Sequence, residues 1–465
     1  MFTADVQGAL LMMRLLRFAR YGLAALVSML LAVQPVFAQE VLRDAETEHF
    51  LEAISAGLAK SAGLQPGALK LLLVGDPAIN AFVAGGQLIY INAGTIEQAH
   101  NYNELQGVIA HELGHIEAGD IARQGQGTIG ATRISLLSLL LGAAAIAAGA
   151  GEAGMAAMMA GQSAAQGKYL SYSRQVEGSA DASAVRHINE AGLSGKGMVD
   201  FFNTLKREEY RLTPSYLKID TYDVDHPMTQ DRERFMRDAL ENKGAWSKPL
   251  DPATQAEFLR VQAKLIGFMD DPDVALRRFP ETNGSVPAMY ARAYAWHRGG
   301  YSERAVQEVD KLVATSPHDP YFLELKGQIL LESGKPKDAI APLREAVQNS
   351  GHTPLIGALL GHALVASEDP ANLREAQSVL KVAVQRDGEN PFAWYNLGQV
   401  YAKLGDEPRA SLASAERFSL QGQPRMAMAS AEAALHGIPA GTPDYIRAQD
   451  IAMTARDEAQ QKRKR

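Results

Sequence analysis

Two histidines and a glutamate within five residues are the side chains of this sequence best suited to chemistry. His111 and His115 lie four positions apart, so on a helix they project to one side and can bind one metal ion between them. Neutral imidazole suits zinc, and a catalytic zinc ion also binds a water whose pKa falls to about 7. Glu112 could take the proton from that water. The pattern therefore predicts metal-assisted hydrolysis.

A helix must hold these side chains, and the neighbouring residues predict one. Leu105, Ile109 and Leu113 recur at the spacing of a buried helical face. Asn103 is predicted as the residue that caps the start of this helix. The alternative is a helix with two unrelated surface histidines.

A third metal ligand is expected downstream, on a second helix. Glu177 and Asp181 lie one helical turn apart, so both can face the same neighbour. Glu177 could bind the metal, while Asp181 could accept the outer N–H of a ligating histidine and fix its tautomer. Two solvated acids on an amphipathic helix are the alternative.

These motifs resemble the gluzincin family of HtpX-like and CAAX-prenyl-protease-like peptidases. The family pattern is HExxH followed by a helix that reads R-Q-x-E-x-x-x-D, which begins here at Arg174. The segment from Asn80 to Ile91 is similar to the family's NAF segment and its following strand. His226, followed by Pro227 and by Arg232, is similar to a late HP…R element.

The resemblance implies a role for each matching residue. One Zn²⁺ per chain would be bound by His111, His115 and Glu177, with Glu112 catalytic and Asp181 supporting a ligand. The resemblance leaves His226 either as an oxyanion stabiliser or as a plug of the metal's open position, and Arg232 would hold its loop or offset charge. Relatives often carry a histidine where this chain has Asp120, which is not expected to be a ligand.

A strand at the rim of the cleft is expected to bind the substrate backbone through main-chain hydrogen bonds. The residues predicted for it follow a glycine pair and are Gly86, Gln87, Leu88, Ile89 and Tyr90. An ordinary central strand is the alternative.

Composition predicts export and argues against nucleic acid as a partner. Three arginines precede a short apolar run, which predicts a cleavable secretory signal peptide over residues 1–38, with an uncleaved anchor as the alternative. Removing that segment moves the formal charge from −7 to −9, which disfavours nucleic-acid binding. The chain has no cysteine, which is compatible with an oxidising periplasm.

The second half of the chain contains a repeat. Ala293, Gly327, Gly361 and Gly398 are separated by 34, 34 and 37 residues, and 34 residues is the tetratricopeptide (TPR) period. Neighbouring units of this kind stack into a curved array with a concave face. That face is expected to bind a peptide or protein partner, and a purely stabilising domain is the alternative.

The stretch between the two predicted ligand helices is strongly apolar. Glu152 is the only charged residue from Ile134 to Ser163. A helical hairpin that packs on the peptidase or dips into a membrane surface is favoured over true spanning helices, because the later half is rich in alanine and glycine.

The complete prediction is a mainly α protein. It has a signal peptide (1–38), a gluzincin-type zinc metallopeptidase domain with a small β-sheet (39–275) and an α-helical TPR superhelix (276–465). The order of these parts resembles periplasmic peptidases of Gram-negative bacteria. That resemblance implies unfolded or misfolded outer-membrane proteins as substrates, the outer-membrane β-barrel assembly machinery as a partner of the repeats, and a chaperone role. A non-proteolytic TPR adaptor with a plugged zinc site and a membrane-embedded zinc peptidase are the alternatives.

Overall fold

A computed structural model describes residues 41–147, 150–212 and 230–464 of the chain. Within these ranges the fold is mainly α, with one four-stranded sheet near the start of the described chain. The predicted fold class is confirmed. The predicted signal peptide, residues 1–38, and His226 lie outside the described residues.

The first part of the described chain contains the sheet and nine helices. The strands are β1 (Val41–Leu42), β2 (Lys70–Val74), β3 (Ala81–Val83) and β4 (Leu88–Asn92). The helices described here are α1 (Ala45–Ser61), α2 (Ala93–Gln98), α3 (Tyr102–Ala118), α4 (Asp120–Ala147), α5 (Gly151–Glu190), α6 (Lys196–Leu212), α7 (Gln230–Glu241), α8 (Pro252–Met269) and α9 (Pro272–Arg278). One apolar core joins the sheet to α1, α3, α5, α6, α7 and α8.

The sheet order is β1-β2-β4-β3, with β2 and β4 parallel and the two outer pairs antiparallel. Strand β4 is interior, since Ile89 pairs with both Leu71 and Val83. The prediction of an open substrate strand at Gly86, Gln87, Leu88, Ile89 and Tyr90 is therefore wrong. Gly85 and Gly86, both at positive φ, form the turn that folds β3 back onto β4. Strand β3 thereby occupies the edge of β4 with which a substrate would have to pair. Within the described residues, β3 is the outer strand on this side.

Helix α3 carries the histidine pair, and its first residue differs slightly from the prediction. The capping residue is Asn101 rather than Asn103, because the Asn101 side chain accepts the Glu104 N–H at 3.1 Å. The helix ends at Gly119, which adopts the left-handed conformation that favours glycine. Gly114 allows α5 to approach closely, since a Cβ there would lie 2.6 Å from the Ala180 carbonyl oxygen.

The repeat array is a series of antiparallel helix pairs. Its helices are α10 (Val286–Arg298), α11 (Ser302–Thr315), α12 (Pro320–Glu332), α13 (Pro336–Asn349), α14 (Pro354–Ala366), α15 (Leu373–Arg386), α16 (Pro391–Lys403), α17 (Glu407–Leu420), α18 (Pro424–Leu435) and α19 (Pro443–Lys464). Gly327 and Gly361 lie where the helices of a pair meet, because a Cβ on either would overlap Leu343 or Leu380. The longer separation of 37 residues, between Gly361 and Gly398, includes a short 3₁₀ turn at Pro370–Asn372.

The array and the sheet-containing part meet through a set of buried and partly buried polar side chains around α1 and α8, here called the junction cluster. Its members are Asp44, Glu46, Arg260, Lys264, Tyr290, Asp319 and Glu324. Lys264 Nζ lies 2.5 Å from Asp44 Oδ2, and Tyr290 donates a 2.6 Å hydrogen bond to Glu46. The chain from Val41 onward forms one continuous unit, so the domain boundary at 275/276 stays a prediction.

Two groups of the junction cluster have strongly displaced pKa values. Burial lowers the pKa of Lys264, but Asp44, Glu46 and the neighbouring tyrosines together outweigh it and raise that pKa well above its ordinary value. Burial raises the pKa of Glu324 to about 8. Among the described residues, no hydrogen bond reaches the buried Oε2 atom of Glu324. The cluster therefore holds Lys264 charged while favouring a proton on Glu324.

Candidate metal centre

Three potential ligands converge between helices α3 and α5. The Nε2 atoms of His111 and His115 are 3.2 Å apart. The Glu177 carboxylate completes the triangle, with Oε2 at 3.3 Å from His111 Nε2 and Oε1 at 3.6 Å from His115 Nε2. Their ligand atoms all lie within 4.8 Å of one another, and all three residues are buried. The structure thus brings together the three residues that the sequence pattern suggested as ligands.

The dimensions of this triangle fit a tetrahedral cation. Zinc bonds of about 2.0–2.1 Å at tetrahedral angles separate neighbouring ligand atoms by about 3.3 Å. The separations of 3.2, 3.3 and 3.6 Å match that value. Two imidazoles and one carboxylate are also a ligand set that zinc accepts in hydrolytic enzymes. The residues present therefore fit a zinc ion.

Each histidine of the triangle has a carboxylate at its other ring nitrogen. Asp181 Oδ1 lies 3.0 Å from His111 Nδ1, and Asp120 Oδ2 lies 2.9 Å from His115 Nδ1. A proton on Nδ1 would be shared with the carboxylate, which leaves the Nε2 lone pair directed into the triangle. Both rings are thus oriented for metal binding by an acid outside the triangle.

Arg232, on α7, connects the acids of α5. Its guanidinium donates two hydrogen bonds to Asp181, at 2.7 and 2.9 Å, and lies 2.9 Å from Glu177 Oε2. The side chain is buried and lies over the Phe202 ring. This fork geometry fixes the two carboxylates relative to each other. Arg232 therefore positions the acids around the triangle.

The electrostatics of the site favour a bound positive charge. Burial lowers the pKa of His111, but Asp181 and Glu177 raise it, with a net value of about 10. Burial raises the pKa of Asp181, but Arg232 and His111 together outweigh it and hold that pKa below its usual range. The carboxylates of the site thus outnumber its one permanent cation. A divalent metal would balance this excess.

Glu112 lies on the same helix as the histidines and is 1% exposed. Helical geometry places it next to His111, on the side toward the apolar core. A carboxylate in that position is shielded from bulk water, so its charge acts strongly on groups in the site.

Two features of this centre were missed by sequence reasoning. Asp120 was noted only as a departure from the family pattern, yet it contacts His115. Its position directly after the left-handed Gly119 was the available signal, since that turn redirects the chain past the end of α3. The close approach of α5 at Gly114 was also missed, although a glycine inside a helix often marks such a contact.

Comparison with known families agrees with the arrangement of these residues. Residues 45–240 match the model described as Peptidase family M48. This part of the chain is an M48 peptidase domain. The chain is accordingly a metallopeptidase, as the histidine pattern predicted. The match includes α3, α5 and Arg232 and ends before α8.

Relatives resemble the chain over most of its length. The beta-barrel assembly-enhancing protease of Yersinia pestis is 25% identical over 76% of this chain and 71% of the relative. The protein of the same name from Escherichia coli K12 is 22% identical over 82% of this chain and 77% of the relative. The similarity therefore extends from the M48 domain into the repeat array.

A solved structure also resembles part of the chain. MamA from Desulfovibrio magneticus RS-1 is 22% identical, covers 37% of this chain and 95% of that chain, and has a TM-score of 0.30.

Proposed function

We propose that the chain is a zinc-dependent endopeptidase that degrades unfolded or stalled proteins of the outer membrane in the bacterial periplasm. The observation that carries the zinc assignment is the triangle of His111, His115 and Glu177, whose atom separations suit tetrahedral coordination. The proposed location and substrates are supported by the names of the two relatives, which refer to the assembly of β-barrels.

The chain's own residues would divide the reaction between them. Zinc, when bound, would lower the pKa of a water and polarise the scissile carbonyl. Glu112 takes the proton of the attacking water and passes it to the leaving amine. Asp120 and Asp181 hold the two imidazoles in the ligating tautomer. Arg232 keeps Asp181 and Glu177 in place and offsets part of their charge.

His226 stays a proposal, either as a plug of the open metal position or as a stabiliser of the oxyanion. Its replacement by alanine should raise basal proteolysis if it is a plug and lower it if it stabilises the oxyanion.

The substrate backbone is proposed to pair with β3 rather than β4. Strand β3 is the outer strand of the described sheet on the side where α3 packs. Phe82 and Val83 are partly exposed on it. An extended polypeptide added to this edge would be bound through main-chain hydrogen bonds, which tolerate many sequences.

The repeat array is proposed to bind partner proteins, including the outer-membrane β-barrel assembly machinery, and to assist assembly without proteolysis. The support is its stacked helix pairs, which create an extended concave surface. The similarity to the relatives includes this half of the chain.

The test is cleavage of an unfolded model protein by the purified chain and by Glu112→Gln, with zinc content measured for both. The variant should lose about 10²–10⁴-fold in cleavage rate, because the general base is gone, and should keep its zinc. Glu117→Gln, at an exposed position of the same helix, is the matched control and should cleave normally. Full cleavage by Glu112→Gln would overturn the assignment of the base.

A further inference from the structure

The hairpin formed by α4 and α5 exposes an unusual amount of apolar side chain. On α4 five leucines are exposed, by 49 to 68%: Leu136, Leu137, Leu139, Leu140 and Leu141. On α5, Met155 and Met159 are exposed by 54 and 67%. Glu152 is the only charged residue between Ile134 and Ser163. A helix pair in water would normally direct such side chains inward.

The contact between the two helices is instead made by small residues. A Cβ added to Gly161 would overlap the side chain of Ser138, which is itself buried. A Cβ on Gly154 would lie 2.5 Å from the Gly142 carbonyl oxygen. Small residues at a helix contact, with large apolar residues outside, are the arrangement that packs helices in lipid. The hairpin therefore has small residues at its internal contact and large apolar residues on its outer surface, whereas a helix pair in water has its large apolar residues inside.

The distribution of the leucines favours lipid over a protein partner. Successive residues of a helix are separated by about 100°. The five exposed leucines of α4 therefore surround the helix on every side except the one where Ser138 meets α5. A protein partner covers one face of a helix, whereas lipid chains contact its whole free circumference.

The length of the hairpin suits partial insertion. Within the described residues, the segment Ile129–Ile146 is long and apolar enough to cross a membrane, and only 11% of it is buried. That segment includes Arg133, and the uncharged part of α4 beyond it, from Ile134 to Ala147, extends about 21 Å, which is less than the hydrocarbon thickness of about 30 Å. Lys168 and Tyr169 lie at the base of the hairpin on α5, as residues do at a membrane interface.

We propose that this hairpin is a lipid-binding element that inserts its apolar end into one side of a phospholipid bilayer. Both helices return to the same side, so the rest of the described chain remains in the aqueous phase. Binding arises from burial of the leucine and methionine side chains and needs no specific headgroup.

Insertion would set the position of the metal centre relative to the membrane. Helix α5 runs unbroken from Gly151 to Glu190 and carries Glu177 and Asp181. Glu177 lies nine residues beyond Lys168, or about 14 Å along the helix. The centre is thus held at a fixed short distance above the bilayer surface. This consequence, unlike the insertion itself, rests on the proposed peptidase function.

Flotation with vesicles tests the proposal. The purified chain should co-float with vesicles of phosphatidylethanolamine and phosphatidylglycerol, in low and in high salt. The double variant Leu140→Glu/Leu141→Glu should reduce the bound fraction at least about tenfold, because carboxylates are costly in hydrocarbon. The matched control is Ile446→Glu/Met453→Glu on α19, whose side chains are 51 and 67% exposed, and it should float as the unmodified chain does.

A fluorescent label reports insertion directly. Since the chain contains no cysteine, Leu140→Cys can be labelled alone with a polarity-sensitive dye, whose emission should shift to the blue when vesicles are added. Failure of the unmodified chain to float, equal flotation of the leucine double variant, or binding abolished by salt would each overturn the proposal. A dimer that the double variant converts to a monomer, without vesicle binding, would assign the surface to a second copy instead. Cleavage of a soluble unfolded protein, measured on the same variants, separates this outcome from failure of the peptidase proposal.

Discussion

The metal centre and the junction cluster are both buried groups of acids, but they obtain their positive charge differently. At the junction, Lys264 and Arg260 lie directly on the carboxylates, with Lys264 2.5 Å from Asp44 and Arg260 2.6 Å from Glu46. At the metal centre, Glu177 and Asp181 pair with Arg232, which is the one permanent cation among the described contacts of these acids. At the junction the protein supplies a cation in direct contact with each of these two carboxylates, whereas the centre is suited to an added cation.

This difference separates a structural site from a binding site. Buried ion pairs that are internally balanced hold segments together and need nothing from solution. A buried acid excess around two oriented imidazoles is unfavourable until a cation binds. Added metal should therefore stabilise the centre and leave the junction unaffected, and four predictions test that contrast.

The largest effect is expected from Lys264→Met. Without the Lys264 ammonium group, the carboxylates of Asp44 and Glu46 lose a cationic partner in a buried position. The free energy of unfolding should therefore fall by about 3–5 kcal/mol. Urea denaturation would measure the loss. Lys337→Met, at an exposed position of the array, is the control and should change little. Equal stability of the two variants would show that the junction does not depend on its lysine.

Metal should stabilise the protein only through the centre. At zinc concentrations near 100 times Kd, the free energy of unfolding should rise by about 2.7 kcal/mol. Lys264→Met should retain this increment, because its defect lies elsewhere, and His111→Ala should lose it. Thermal unfolding with and without zinc measures the three increments. An undiminished gain in His111→Ala would place the bound metal outside the triangle.

Asp120→Asn should weaken metal binding without removing a ligand. Loss of the carboxylate at His115 Nδ1 should reduce zinc affinity by about 10–100-fold. Competition with a chromophoric chelator gives this affinity, and Asp120→Glu should restore part of it. Glu117→Gln serves as control. Unchanged affinity in Asp120→Asn would mean that His115 is oriented by other contacts.

The fourth prediction concerns pH at the junction. The pKa of Glu324 is raised from 4.5 to about 8 in the folded chain. At pH values between these two pKa values, the folded chain therefore keeps a proton that the unfolded chain has released. This contribution to stability is present below about pH 4.5 and is lost as the pH rises toward 8. Glu324→Gln should therefore lose less stability than the unmodified chain between pH 5 and pH 8.5, as measured by urea denaturation at each pH. Parallel pH profiles would contradict the assignment.

The sequence predicted those features that repeat or that follow a fixed spacing. The separations of Ala293, Gly327 and Gly361 predicted the helix pairs, because close helix packing demands small residues at each crossing. The four-residue spacing of His111 and His115 predicted that both imidazoles face one side of a helix. Glu177 was predicted separately, from its pairing with Asp181 on a second helix and from the family resemblance.

Other features depend on contacts between segments distant in the chain. Strand β4 is interior because of the order of the strands in the sheet. The glycine pair before it is compatible with an interior strand or with an edge strand, so the sequence did not distinguish the two. The salt bridge of Lys264 to Asp44 joins residues 220 positions apart, for which no local pattern exists. Asp120 follows a helix end, where the direction of the side chain depends on the turn at Gly119.

The most direct test of the account is the zinc content and zinc X-ray absorption of the purified chain, beside the double variant His111→Ala/His115→Ala. The account predicts one zinc ion per chain, bound by two imidazole nitrogens with oxygen as the remaining ligands, and no zinc in a double variant that is still folded by circular dichroism. Zinc retained in the double variant, or a first coordination shell without imidazole, would contradict it.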